Sequence, residues 1–163
     1  MIVQGSQKDL LEYQEIYIKY INKVYSNLLF SDKEISQLIK RIDTMKKLES
    51  GLNSPLCRVL FIKEKDTIGG FLEAYIIAND YMFEKKHIYI ANLFIDKDII
   101  SEELTFSLSN QMLLKIEEWA KELQIEYICN DVDESNIVMK KLNKVVKFMP
   151  YRTRYYKRIT LNE

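Results

Sequence analysis

The hydrophobic period of the chain changes near Arg58, and this change limits the possible folds more than any other feature. Before it, apolar residues recur at helical spacing in two runs, 10–28 and 35–48. After it come two strand-like segments, RVLFIKE and TIGGFLEAYIIAND, joined by the polar loop KEKDT. The pattern therefore predicts two helices followed by a β-hairpin.

The second half of the chain alternates strands with helices. KHIYIANLFID predicts a strand, 104–123 a long helix, IEYICNDV a buried strand, ESNIVMKKLNKVVK a short helix and RTRYYKRITL a final strand. Together with the apolar start MIVQ, this order favours an α/β (α+β) fold, with a mixed central β-sheet of about six strands flanked by about four helices. The length of 163 residues fits one domain spanning 1–163.

Helix boundaries are marked by side chains that can cap a helix end. Ser6 with Asp9 and Ser31 with Glu34 have the spacing of N-terminal capping pairs. Glycine and proline are scarce in this chain, so the run 51–55, which contains one of each, predicts the end of the second helix.

The charges of the chain balance, with 24 Lys plus Arg against 24 Asp plus Glu. No overall field therefore attracts nucleic acid, anionic lipid or an acidic partner. The C-terminal YRTRYYKR combines charge with stacking rings, as a groove for single-stranded nucleic acid does. A basic edge strand explains the same residues, because basic side chains protect a sheet edge, and this interpretation is favoured.

Neither a membrane span nor a metal site is expected. No apolar stretch is long enough to cross a membrane and no signal peptide is evident, so a cytoplasmic protein is expected. Cys57 and Cys129 lie in apolar runs, which favours buried, reduced thiols. One histidine and two separated cysteines form no recognisable ligand spacing.

Several segments, in order, resemble the GCN5-related N-acetyltransferase (GNAT) family over nearly the whole chain. MIVQGSQKDLLEY resembles its opening strand and first helix, and FIKEKDTIGGFLEAYI its second and third strands. IYIANLFIDKD resembles the fourth strand, LLKIEEWAKELQIEYICNDV the main helix and fifth strand, and ESNIVMKKLNKVVKF the last helix. The resemblance implies a protein that binds acetyl-CoA and passes its acetyl group directly to an amine.

The same resemblance implies site residues and partners. Backbone groups of Leu93, Phe94 and Ile95 would hold the pantetheine arm as an added strand would. Asn136 matches a family residue that often contacts the cofactor, although asparagine is also a common helix cap. Asn143 aligns with the family's acid tyrosine, and its amide can donate a hydrogen bond without supplying a proton. The acceptor would be a small-molecule or peptide amine, and a homodimer stays open.

The turn before the long helix departs from the family's pattern of Arg or Gln, two residues, Gly, one residue, and Gly or Ala. The stretch FIDKDIISEELTFSLSN contains no glycine. Counted back from EEWAKE, the glycine positions fall on Ser107 and Ser109, which are small enough to let a ligand approach if the helix began later. Counted forward from LFIDKD, they fall on Glu103 and Thr105. The two counts differ by about one helical turn.

An earlier helix start explains that difference. Ser101 is a good N-cap, and Glu102 with Glu103 would occupy the first turn. These carboxylates complement the helix dipole and repel a polyanion. Lys97 is the only cation in this stretch. The sequence therefore favours a self-capped helix start over a tightly held pyrophosphate.

Glu73, inside the apolar segment FLEAYI, is the candidate catalytic base. Burial would make it useful for proton transfer, whereas a position on the solvent face, which is commoner for a charged residue, would make it ordinary. His87, at the start of the next strand, is more typical of a surface residue. Tyr89 and Asn92 are three residues apart, which places them on opposite faces of a regular strand.

Two functional hypotheses follow. One is a GNAT-type N-acetyltransferase that holds acetyl-CoA through backbone contacts, with Glu73 or another strand residue as base. The other is a non-catalytic protein of the same fold that does not bind acetyl-CoA. It would act through a partner, using the tyrosine-rich first helix as one contact surface.

Overall fold

The computed structural model describes residues 1–26, 44–78, 85–133 and 136–150. The chain divides into two compact units, Met1–Asp131 and Val132–Glu163. One domain spanning 1–163 stays a prediction. The predicted capping pair Ser31 and Glu34 and the predicted final strand RTRYYKRITL lie outside the described residues.

The first unit contains strands and helices in the order that the sequence predicts. They are β1 (Ile2–Gln4), a short 3-10 helix (Gln7–Asp9), α1 (Leu10–Ser26), α2 (Thr44–Asn53), β2 (Cys57–Glu64), β3 (Thr67–Ile77), β4 (His87–Ile95), α3 (Glu102–Glu122) and β5 (Ile128–Asn130). The second unit contains α4 (Ile137–Val145). The predicted mixed fold is confirmed, with five strands and four α-helices in the described parts of the chain.

The five strands form one sheet in the order β1-β2-β3-β4-β5. The first four strands are antiparallel, and β5 runs parallel to β4. Parallel neighbours need a crossover, which α3 provides. The strand predicted from IEYICNDV is only three residues long, because β5 pairs with no more of β4 than the segment 88–90.

The main core lies between the sheet and helices α1 and α2. Its buried members are Tyr13, Ile16, Tyr17 and Ile21 of α1, Leu48 of α2, and Cys57, Val59, Phe61, Ile68, Phe71 and Phe94 of the strands. The rings of Tyr13 and Phe71 meet edge to face with centroids 5.3 Å apart, a favourable aromatic geometry. On the opposite face, Arg58 lies over the Trp119 ring at 4.8 Å, so α3 covers that side of the sheet.

Helix boundaries agree with the capping residues. The backbone N–H of Ser6 donates to Asp9 Oδ2 at 2.9 Å, ahead of α1. Helix α2 continues through Gly51 and ends at Asn53, inside the predicted range 51–55. Ser101 is extended, with φ −61° and ψ 149°, and α3 begins directly after it, which confirms the earlier helix start.

A β-bulge in β4 changes which side chains share a face. Glu73 pairs with Asn92 and Ala74 with Ile90, so Ala91 is the extra residue. Tyr89 pairs with Tyr75, two residues from Glu73, so Tyr89 and Asn92 lie on the same face of the sheet. The prediction of opposite faces is wrong because it assumed a regular strand.

Candidate active site

Glu73 is fully buried, at 0% exposure, on the sheet face covered by α1 and α2. The solvent-face alternative is therefore wrong. Each carboxylate oxygen has a donor: Tyr75 Oη donates to Oε1, and Asn92 Nδ2 donates to Oε2 at 2.5 Å. A buried carboxylate is costly unless such donors surround it, so these neighbours explain how a charged residue occupies a core strand.

The hydrogen-bond network extends from Glu73 to helix α1. Tyr20 Oη donates to Asn92 Oδ1 at 2.6 Å, which orients the amide so that its nitrogen faces Glu73. The network thus links α1, β4 and β3 through Tyr20, Asn92, Glu73 and Tyr75. The sequence pattern does not reveal Asn92 as the partner of Glu73, because the pairing of β3 with β4 contains a bulge.

An open pocket of about 240 Å³ lies beside this network, lined by Lys47, Ser50, Gly51, Ser54 and Tyr75. A Cβ atom added at Gly51 would lie 3.8 Å from Glu73 Oε1, so α2 approaches the carboxylate closely at this glycine. Tyr75 is shared by the pocket and the network.

Burial and the Glu73 charge keep the neighbouring groups protonated. Burial, and then the Glu73 carboxylate, raises the pKa of Tyr75 far above its ordinary value, and the same two causes act on the pKa of Tyr13. They also raise the pKa of the Cys57 thiol to about 12. Cys57 is therefore a poor nucleophile at neutral pH, since the thiolate is the reactive form. The buried hydroxyl of Tyr13 has no hydrogen-bond partner among the described residues.

Strand β4 extends beyond its partner β5. The β4–β5 pairing covers 88–90, whereas β4 continues to Ile95. Within the described parts of the chain, no strand pairs with the segment 91–95 on the side of β5, so alternate backbone N–H and C=O groups face away from the sheet there. This open edge contains Leu93, Phe94 and Ile95. The Phe94 side chain is buried in the core, so only its backbone is presented there.

The turn between β4 and α3 is held by ion pairs. Lys97 Nζ lies 2.7 Å from Glu102 Oε1, and Lys19 Nζ lies 2.9 Å from Asp96 Oδ2. The backbone N–H of Asp98 donates to Asp96 Oδ1 at 3.1 Å. Glu102 and Glu103 occupy the first turn of α3, as predicted. The positive end of the helix therefore already has acidic side chains beside it.

Ser107 and Ser109 lie inside α3, more than one turn beyond its start at Glu102. Their backbone N–H groups belong to the helical ladder, and only the first four N–H groups of a helix lack an intrahelical acceptor. Ser107 is exposed and Ser109 is buried. Contact of either residue with a cofactor stays a prediction.

In the second unit, Asn136 caps helix α4. Its side chain accepts a hydrogen bond from the Met139 N–H at 3.0 Å, so the capping alternative is confirmed for this residue. Asn143 lies within α4, and its backbone carbonyl accepts from the Phe148 N–H at 2.8 Å. The cofactor contact of Asn136 and the hydrogen-bonding role of Asn143 stay predictions.

His87 is buried, at 1% exposure, so its assignment to the surface is wrong. Its Nδ1 lies 2.7 Å from the Lys85 carbonyl oxygen, an acceptor that favours the tautomer protonated at Nδ1. A satisfied backbone contact explains how histidine fits a buried strand start. Cys57 and Cys129 are free thiols, the first buried and the second partly buried.

Neither a metal cluster nor a membrane span is found in the described residues. No group of three or more His, Cys, Asp or Glu side chains there could hold a metal ion. None of the described helices combines the length and apolar character needed to cross a bilayer.

Solved structures similar to this chain include several acetyltransferases. An aminoglycoside acetyltransferase from an uncultured soil metagenomic sample, in complex with sisomicin, is 18% identical, with a TM-score of 0.66 and coverage of 99% of this chain and 96% of that one. An aminoglycoside N-acetyltransferase in complex with CoA is 14% identical, with a TM-score of 0.68 and coverage of 97% and 93%.

A Bacillus halodurans protein has a TM-score of 0.74 at 14% identity, with coverage of 98% of this chain and 99% of that one. No protein-family model and no curated protein matches the chain. The similarity is thus one of three-dimensional structure rather than of sequence. The chain shares the fold of these acetyltransferases, as the resemblance of its segments to the GNAT family predicted.

Proposed function

We propose that this protein is a GNAT-type N-acetyltransferase that transfers an acetyl group from acetyl-CoA to an amine. The observation that carries the proposal is the position of Glu73. It is a buried carboxylate with one donor on each oxygen, and it pairs with Asn92, which lies in the segment 91–95 of β4 that extends beyond β5. A carboxylate beside the open segment of β4 can receive the proton that a substrate at this edge loses, through a neighbouring hydroxyl group or water.

The open edge of β4 suits the pantetheine arm of acetyl-CoA. Amide groups of the arm can pair with the backbone of Leu93, Phe94 and Ile95 as an added strand would. Such contacts need no particular side chains. The fold is also shared with an acetyltransferase solved in complex with CoA. Ser107 and Asn136 are further candidate contacts.

Glu73 is the proposed base, which receives the proton that the amine loses as it attacks the thioester carbonyl. From its alignment with the family's acid tyrosine alone, Asn143 is a candidate to hydrogen-bond the sulfur or the carbonyl oxygen, since an amide cannot supply a proton. The departing thiolate would then leave without a dedicated protein acid. The amine itself, a small molecule or a peptide, would enter through the pocket lined by Lys47 and Tyr75.

The second candidate function is a non-catalytic protein of the same fold that acts through a partner. One specific observation favours it: the first turn of α3 contains Glu102 and Glu103 and no glycine, and Lys97 is already paired with Glu102. A pyrophosphate would meet repulsion where a helix N-terminus ordinarily attracts it.

Thermal unfolding in the presence of acetyl-CoA distinguishes the two functions. Free ligand at 100 times its dissociation constant should stabilise the protein by about 2.7 kcal/mol, which raises the unfolding temperature. Adenosine 3′,5′-bisphosphate, which lacks the pantetheine arm, is the matched control and should give a much smaller shift. Absence of any shift at millimolar acetyl-CoA would favour the non-catalytic function.

A further inference from the structure

Tyr75 is part of the hydrogen-bond network around Glu73, and it also lines the pocket. It lies on β3 two residues from Glu73, so the two side chains point to the same face, and its hydroxyl donates to Glu73 Oε1. The same residue lines the open pocket beside α2. A molecule in that pocket could therefore contact Tyr75, a member of the network.

Glu73 itself is closed to direct contact. Its exposure is 0%, and its second oxygen is occupied by Asn92 Nδ2 at 2.5 Å. An amide neither gives up nor accepts a proton near neutral pH, so Asn92 cannot pass one to the carboxylate. Among the described residues that line the pocket, Tyr75 is the one whose side chain donates a hydrogen bond to the carboxylate.

We propose that Tyr75 is a further catalytic residue, which relays the proton of the acceptor amine to Glu73. This inference rests on the proposed acetyltransferase function. As the amine nitrogen forms its bond to the acetyl carbon, the amine proton moves to Tyr75 Oη and the phenolic proton moves to Glu73 Oε1. The carbon–sulfur bond breaks, and its electron pair leaves with the sulfur. Tyr75 ends the step neutral, and Glu73 ends it protonated.

A phenol suits this role because it can donate one hydrogen bond and accept another at the same time. Burial and the adjacent Glu73 charge raise the pKa of Tyr75, so the hydroxyl keeps its proton until Glu73 takes it. Tyr20 and Asn92 hold the other carboxylate oxygen in place, and they act as positioning residues. Their contacts leave Oε1 directed at Tyr75.

Single-turnover acetyl transfer tests the relay with Tyr75→Phe, Glu73→Gln and the double variant. Tyr127→Phe is the control, because Tyr127 is hydrogen-bonded to Lys85 outside the network. Each network variant should slow transfer by about 10²- to 10⁴-fold, and the double variant should be no slower than the worse single one, since the two act as a unit. An unchanged rate for Tyr75→Phe, or losses that multiply in the double variant, would overturn the relay.

A further measurement keeps the test decisive if Tyr75→Phe fails to fold. The wild-type single-turnover rate in mixtures of H₂O and D₂O should curve with the deuterium fraction, because two protons move together. A straight line would contradict the relay.

Failure of this inference is distinguishable from failure of the proposed function. If the wild-type protein binds acetyl-CoA and transfers its acetyl group while Tyr75→Phe matches it, the relay alone is wrong. If the wild-type protein shows neither binding nor transfer, the acetyltransferase function is wrong and the relay is wrong with it.

Discussion

The centre of the sheet and the turn before α3 both contain carboxylates next to β4. The hydrogen-bond partners of these carboxylates are neutral in the first region and charged in the second. Glu73 is buried and accepts hydrogen bonds from the neutral donors Tyr75 and Asn92. Asp96 and Glu102 in the turn are paired with the lysines Lys19 and Lys97. Neutral donors leave the charge of Glu73 available for proton transfer, whereas ion pairing uses up the cations that a phosphate would need.

This difference has separate consequences for proton transfer and for phosphate binding. The Glu73 network has the parts of a base site, while the turn lacks both a glycine and an unengaged helix N-terminus. If the protein binds acetyl-CoA, most of the affinity should come from the pantetheine arm on β4 rather than from the pyrophosphate.

The largest effect is expected at the sheet centre. Glu73→Gln should slow acetyl transfer by about 10²- to 10⁴-fold, because a glutamine side chain accepts no proton. The affinity for acetyl-CoA, measured by calorimetry, should stay nearly unchanged. Glu64→Gln, an exposed glutamate at the end of β2, is the matched control. Equal rates in the two variants would remove Glu73 from its proposed role.

Removing the amide partner tests the structural part of the network. Asn92→Leu leaves Glu73 Oε2 without its donor, and a buried charged group that lacks a partner costs about 2–3 kcal/mol. Urea unfolding should show this loss in the free energy of unfolding. Gln111→Ala, which removes an exposed amide on α3, should change the free energy of unfolding by less than about 0.5 kcal/mol. Equal stability of the two variants would mean that Asn92 does not support the carboxylate.

Removing the negative charges in the first turn of α3 tests whether the turn weakens the binding of acetyl-CoA. Glu102→Gln combined with Glu103→Gln removes two charges near the helix N-terminus, each worth about 0.3–0.7 kcal/mol against an anion. Acetyl-CoA should then bind about three- to tenfold more tightly. Glu117→Gln combined with Glu118→Gln, farther along α3, is the control.

The same change should leave the affinity for acetylpantetheine unaltered, since this ligand has no pyrophosphate. A gain for acetylpantetheine equal to that for acetyl-CoA would show that repulsion of the pyrophosphate is not the cause.

The smallest effect is a pH dependence in the turn. Burial alone would raise the pKa of Asp96, but hydrogen bonds from Lys19 and the Asp98 N–H outweigh it, so its pKa lies below the ordinary value. The ion pair therefore contributes stability above the unfolded pKa of about 3.9, and this contribution is lost as pH falls through the lower folded pKa.

Asp96→Asn should lower the free energy of unfolding by about 0.5–1 kcal/mol at neutral pH, with a difference from wild type that shrinks below about pH 4. Denaturant unfolding at a series of pH values measures it, with the exposed Asp98→Asn as control. A difference that persists unchanged in acid would exclude the Lys19 ion pair as its cause.

The order of helices and strands was predictable because it depends on local patterns. The Ser6 capping pair and the start of α3 after Ser101 follow from short-range hydrogen bonding, which a sequence displays directly. The face assignment of Tyr89 and Asn92 was not predictable in the same way. It depends on the bulge at Ala91, which forms only when β3 and β4 pair.

Burial of polar residues depends on partners that are distant in the sequence. In the sequence, Glu73 is a charged residue within an apolar strand. Its carboxylate can be buried because Asn92, 19 residues away, donates a hydrogen bond to it. His87 reads as a surface residue after EKK, yet its ring contacts the Lys85 carbonyl and fits the core. Average exposure of a residue type predicts neither case, since specific hydrogen bonds reverse the usual cost of burial.

The bulge in β4 also affects how the strand can tolerate insertions and deletions during evolution. Because Ala91 is an extra residue, its deletion would return β4 to regular alternation, with Asn92 still facing Glu73. A one-residue deletion in β1, whose register with β2 is unbroken, would instead turn the following side chains to the other face. Strand β4 can thus lose its bulge while Glu73 keeps Asn92 as its partner.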